Sequence, residues 1–275
     1  MYRRLEMETT ESKFSKSSIL SALDSWKDPY VILIPIVLII VAELLLYAGQ
    51  TKAGITLHVV IVLALSLSMG WLQDSHVPAS FQVLILLPLL RLLNISMPVF
   101  SETTLYLYVY IYTPMFLAVY FLMRQETLAL FKRKISLEDT VKYVFLSFPV
   151  AFGIAYGEYH LIDAGNLVPD LSFVSILKIF IIMTLFVGLV EELVFRSFLQ
   201  TRLEESFGDY AGLFLAALLF GIMHSGYGTL YEMIFVAFAG LVLGYMYQRT
   251  RSLFLVSLTH GLTNTFLFAL LPLLS

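Results

Sequence analysis

Between Tyr30 and Leu274 the chain returns nine times to a run of apolar residues carrying few or no charges. The runs read Tyr30–Tyr47, Ile55–Leu72, Phe81–Met97, Thr104–Met123, Val141–Tyr156, Phe173–Leu203, Ala211–His224, Leu230–Gln248 and Leu253–Leu274. About twenty apolar residues carry a helix across the hydrocarbon of a bilayer. Composition agrees: the chain is 59% hydrophobic and only 13% charged, whereas a soluble domain is roughly 25% charged. The expected fold class is therefore all-α, a polytopic transmembrane helical bundle of eight to nine spans. Ala211–His224 is short for a span, so it is expected to run on through Gly226 or to end inside the bilayer near a cavity. Eight spans with one re-entrant segment is the alternative.

Residues 1–28 form a polar segment, cytoplasmic or lying at the membrane interface, in which Ile19, Leu20, Leu23 and Trp26 fall at helical spacing. A solvated tail is the other reading. Asp28-Pro29 predicts a cap and first-turn proline for the first span. Residues 29–172 then supply the N-terminal transmembrane helices, and residues 173–275 the chemically loaded ones of the same single domain. No cleavable signal peptide is expected. With no cysteine, disulfides and thiolate chemistry are excluded.

Basic residues give the bundle a direction. Arg3, Arg4, Lys13, Lys16, Lys27, Arg124, Lys132, Arg133, Lys134, Arg202, Arg249 and Arg251 fall on one side of a nine-span arrangement, against Lys52 on the other. The connection 157–172 has no Lys or Arg. The asymmetry predicts a multi-pass integral membrane protein with a cytoplasmic N-terminus and the C-terminus outside. Tyr106, Tyr108, Tyr110 and Tyr112 begin the fourth span at its outer end and read as an interfacial anchor.

Within this apolar frame, VGLVEELVFRSFLQTRL (187–203) is anomalous. A charge at the centre of a membrane helix costs roughly 2.5–3.5 kcal/mol even on the lenient insertion scale, yet Glu191, Glu192 and Arg196 fall within six residues. Glu192 and Arg196 are four apart and share a helix face. Glu191 points about 100° away and has no counterion from its own helix. Its surroundings suit a group that takes and returns protons. The alternative is a buried structural ion pair with Glu191 snorkelling or protonated.

Of five histidines, His58 sits near a span end and His76 and His160 in loops. His224 and His260 lie in apolar surroundings, and Asn264 shares a face with His260. At about 1.5 Å per residue, Glu191 lies roughly 16 Å from Arg202, His224 roughly 20 Å from Ala211, and His260 and Asn264 roughly 12 and 18 Å from Ser252. Three helices thus deliver polar groups to a similar level, expected to line a cavity open to the cytoplasmic side. Such a set supports water activation by Glu191 with His224. His260 and Asn264 would face the oxygen that turns negative when a carbonyl is attacked. Glu192 and Arg196 would hold the helix and orient the base. No HEXXH and no GxSxG is present.

At these positions the sequence resembles the intramembrane CAAX prenyl protease and bacteriocin-processing family. Its EExxxR pattern matches Glu191-Glu192-Leu193-Val194-Phe195-Arg196, FxxxH matches Phe220 to His224, and HxxxN matches His260 to Asn264. The resemblance covers 191–264 and implies a glutamic-type intramembrane endopeptidase. Glu191 and His224 would activate water, His260 and Asn264 would form the oxyanion site, and Glu192 and Arg196 would be the supporting pair. It further implies an all-helical bundle whose conical cavity opens to the cytoplasm. The substrate would be a membrane-associated protein or lipidated peptide, cut near its C-terminus, with loss of the last three residues of a prenylated chain as the best-known reaction. C-terminal sorting or bacteriocin-processing and immunity functions are the alternatives within the family. Outside it stand a proton- or ion-coupled transporter and a non-catalytic membrane scaffold. The expected partners are the substrate and the bilayer, with no nucleic acid. No cofactor is expected; a metal on Glu191, His224 and His260 is the less favoured alternative.

Overall fold

The computed structural model describes residues 29–69, 77–96, 104–125, 135–162 and 164–274. The interfacial segment expected at 1–28 with its Asp28 cap, His76 and the basic cluster 132–134 lie outside the described residues. Among those described, all regular structure is helical, and nine helices are long and apolar enough to cross a membrane. They are α1 (Pro29–Tyr47), α2 (Thr51–Ser68), α3 (Ala79–Ser96), α4 (Leu105–Arg124), α5 (Leu137–Tyr159), α6 (Phe173–Phe207), α7 (Asp209–Tyr227), α8 (Leu230–Thr250) and α9 (Leu253–Leu274). Each coincides with one of the nine apolar runs. Side-chain caps fix several starts: Ser136, Thr229 and Ser252 accept the N–H groups of Asp139, Glu232 and Leu255.

The long helix α6 is the axis of the bundle. Every residue from Val190 to Gln200 is buried, polar ones included. Two π-helical stretches, Met183–Gly188 and Leu193–Gln200, flank the α-helical turn Leu189–Glu192. The wider π turn rotates the side chains that follow it, a device common at functional sites. Gly188 and Gly261 bring α6 and α9 into near backbone contact. A Cβ at Gly188 would stand 3.0 Å from the carbonyl oxygens of Met183 and Ser257, and one at Gly261 would collide with Thr184.

Long-range contacts fix which ends of the helices lie together. At one end the Tyr30 and Phe207 rings meet at 6.0 Å, Arg251 pairs with Glu204 at 2.6 Å, and Gln248 donates to the Asp209 carbonyl at 2.8 Å. This is the end that carries Arg202, Arg249 and Arg251, and it is called the basic end below. At the opposite end the Leu167 N–H donates to the Phe268 carbonyl at 2.9 Å, laying the 160–172 connection on α9.

The seventh span changes its winding near its end. Its α-helical part ends at Ile222, and Ser225–Tyr227 continue as a 3-10 turn. The helical run Asp209–Tyr227 is 19 residues long, so it runs on through Gly226, the first of the two outcomes expected for Ala211–His224.

Candidate active site

Glu192 is fully buried and holds two partners at once. One oxygen receives the His260 Nδ1 contact at 2.8 Å, and the other stands 3.1 Å from the Arg196 Nε. A carboxylate only accepts, so Nδ1 of His260 carries a proton; Nε2 faces the neighbouring carboxylate, and a second proton there makes the ring a cation set between Glu191 and Glu192. The Nε2 nitrogen is 3.7 Å from Glu191 Oε2. The glycine crossing of α6 and α9 makes this approach sterically feasible. Arg196, also fully buried, finds no hydrogen-bond acceptor for its terminal nitrogens among the described residues, and its guanidinium carbon lies 4.5 Å from the centre of the Phe220 ring. The aromatic face supplies the remaining stabilisation of the cation.

Phe220 therefore has a reason to stand four residues before His224. Its ring covers Arg196 and lies 5.0 Å from the His224 ring, and its carbonyl lies 2.9 Å from His224 Nδ1. A carbonyl only accepts, so His224 carries its proton on Nδ1 and turns Nε2 with its lone pair away from its own helix. The break in α7 after Ile222 places this ring at the rim of the helix bundle's interior.

Two groups beside these were not read as site residues from the sequence. Tyr112, on α4, donates its phenolic hydrogen to Glu191 Oε1. The tyrosine run is thus split by helix geometry. Tyr106 and Tyr110 are exposed, as an anchor requires, while Tyr108 and Tyr112, on the other face, line the cavity. The reading of the whole run as an anchor is corrected for those two. His58 is corrected as well: it is fully buried and stands 3.2 Å from Glu43.

Glu43 is the centre of a second buried network. Arg91 grips it with Nε at 2.8 Å and Nη2 at 2.7 Å, and the Ser225 hydroxyl donates to it at 2.6 Å. The same Nη2 of Arg91 donates to the Met223 carbonyl and lies 3.4 Å from Ser225 Oγ. Arg91 thus holds the residues on both sides of His224. An α-helix leaves its last carbonyls without amide partners, and Arg91 supplies a donor to that of Met223. The sequence signal was available, since a lone charge in a span is a functional candidate by default. The partners lie up to 182 positions apart, beyond any local spacing.

The two networks meet at one cavity of about 250 Å³, space for several water molecules. Glu191, His224, His260 and Asn264 all line it, as do Arg91, Asn94, Tyr108, Glu158 and Tyr227. Glu192 and Arg196 are fully buried and are not among the residues that line it. Glu158 was read as part of an outer loop; it is buried in the last turn of α5. Of its lining residues Phe195 and Leu90 are buried, 1% and 3% exposed, whereas Tyr227 is 43% exposed. Asn94, Tyr108, Glu158 and Tyr227 all belong to helix ends opposite the basic end. Among the described residues no group of three or more His, Asp or Glu side chains is arranged to hold a metal ion.

Buried carboxylates and histidines around a cavity with room for several waters are the groups with which a membrane protein can activate water. Residues 173–266 match a family model described as type II CAAX prenyl endopeptidase, Rce1-like. The match supports the CAAX protease family for this chain and, with the nine spans, a multi-pass integral membrane protein of protease type. No curated protein and no solved structure matches the chain.

Proposed function

We propose that the chain is an intramembrane endopeptidase of glutamic type that cuts a membrane-associated protein near its C-terminus by direct attack of water. The observation that carries the reading is the convergence of Glu191, His224, His260 and Asn264, from three helices, on one cavity. Glu191 takes a proton from water, assisted by the unprotonated Nε2 of His224. The hydroxide forms a C–O bond to the scissile carbonyl, and the negative oxygen is met by the Asn264 amide and the His260 Nε2–H. Glu192, accepting at Nδ1, stabilises positive charge on that ring. The proton held by Glu191 passes to the leaving nitrogen as the C–N bond breaks, giving a carboxylic acid and an amine, which exchange a proton to leave as carboxylate and ammonium. Tyr112 fixes one oxygen of Glu191, so the other is the one presented to water.

The test uses purified wild type and Glu191→Gln in detergent, each with a fluorogenic prenylated C-terminal peptide and its unprenylated twin. The amide keeps the size of the carboxylate and cannot take the proton, so cleavage is expected to vanish while folding persists. Normal turnover by Glu191→Gln eliminates the mechanism. Wild-type cleavage is expected to survive a chelator; loss restored by Zn²⁺ would replace the water-activating glutamate by a metal.

A further inference from the structure

The acidic side chains around the cavity stand against basic ones, with one exception. Glu43 is held by Arg91 and His58, Glu192 by Arg196 and His260, and Glu191 faces the His260 ring. Glu158 and Glu232, at the end of α5 and the start of α8, are buried, 8% and 0% exposed. Among the described residues no basic group pairs with either. The two carboxyls hydrogen-bond to each other instead, and neither oxygen of Glu232 finds a donor elsewhere among the described residues. A carboxylate only accepts, so this contact needs a proton between the two groups. With one shared proton, the usual state of adjoining carboxyls, the pair keeps one negative charge.

Glu158 presents that charge to the cavity, which it lines together with Glu191, Tyr108 and Tyr227; Glu232 does not line it. The Tyr227 hydroxyl is within electrostatic reach of Tyr108, Glu158, Glu232 and Glu191, so these groups form one cluster. Arg91 also lines the cavity, but Glu43 already grips it through two hydrogen bonds. A buried charge without a counterion is costly, and a ligand that brings the cation removes the cost. Tyrosine rings attract a cation to their faces, and a carboxylate accepts strongly from its N–H groups. We infer that Glu158, supported by Glu232, is a cation subsite that selects substrate segments carrying a Lys or Arg side chain beside the scissile bond. The substrate class rests on the peptidase reading; the cation subsite does not.

The test uses purified protein in detergent and fluorogenic peptides that differ only in carrying Lys, Arg, norleucine or Glu at each position near the scissile bond. Wild type is expected to favour the Lys and Arg peptides over the norleucine one by roughly tenfold to a hundredfold in kcat/KM, the span of one hydrogen bond to a charged group. The ratio is taken within each preparation, so a general loss of activity cancels. The preference is expected to disappear in Glu158→Gln. It is expected to persist in Glu232→Gln, whose amide gives Glu158 a donor and leaves its charge in the cavity. Equal turnover of the whole set by wild type overturns the inference, as does a preference that survives Glu158→Gln or is lost from both variants alike.

A second arm needs no cleavage. Thermal unfolding of the same proteins is followed with N-acetyl-lysine methylamide and with its norleucine analogue. A rise in unfolding temperature with the lysine compound alone, absent in Glu158→Gln, bears out the cation subsite. If that rise is seen and no peptide is cut, the peptidase reading fails and the subsite stands. If peptides are cut without preference and no rise is seen, the subsite fails and the peptidase reading stands. Neither a rise nor any cleavage overturns both.

Discussion

Glu191 is held by a tyrosine on one side and faced by a histidine on the other. Tyr112 donates to Oε1, and His260 Nε2 stands 3.7 Å from Oε2. A hydrogen bond to a charged group contributes about 1.5–3 kcal/mol. Tyr112→Phe is therefore expected to lower kcat by roughly tenfold to a hundredfold on that basis, and to lower the unfolding temperature in detergent with it. Glu192→Ala behaves differently, because it strands Arg196 in the core and frees the His260 ring. Breaking one partner from a buried pair costs about 3–5 kcal/mol, so its unfolding temperature and its kcat are expected to fall together. A stable, fully active Glu192→Ala would contradict the supporting role. Glu191, Glu192 and Arg196 were legible in the sequence because three charges within six residues of a span demand an account. Tyr112 was not, since the interfacial belt explains a tyrosine run equally well. Only the orientation of α4 separates its two faces.

The broken helix α7 shows how an element's end becomes part of a site. Its last carbonyl turns to Arg91, whose charge is neutralised by Glu43, which in turn is held by His58 and Ser225. Removing the cation alone leaves Glu43 buried and unpaired. Arg91→Met is thus expected to lose about 3–5 kcal/mol of stability. The double variant Glu43→Gln with Arg91→Met removes both charges and is expected to regain most of the unfolding temperature. Its kcat is expected to stay low, because Met223 still lacks its donor and His224 its brace. A double-mutant cycle on melting and turnover separates the two effects. The apolar run of α7 ends at His224 in the sequence, while the residues that brace that end come from α1, α2 and α3. Glu43, His58 and Arg91 stand one on each of those spans, and no spacing in the sequence shows that the three meet.

At the scale of the molecule, the nine spans were readable because apolar runs of membrane length have few other uses. How the spans pack was not readable. Phe195, Phe198 and Leu203 look like any other apolar residues in the sequence, and only the folded bundle shows them buried.

The family match spans residues 173–266, yet Glu43, His58, Arg91 and Tyr112 all precede it. The recognisable cassette is therefore not a transplantable unit. A chimera joining residues 173–275 to the front half of another protease is expected to insert and fold, but to turn over poorly unless equivalents of Glu43, Arg91 and Tyr112 travel with it. Restoring those three side chains in an inactive chimera, and assaying peptide cleavage after each, would show how much of the catalyst is inherited from helices that carry no signature of it.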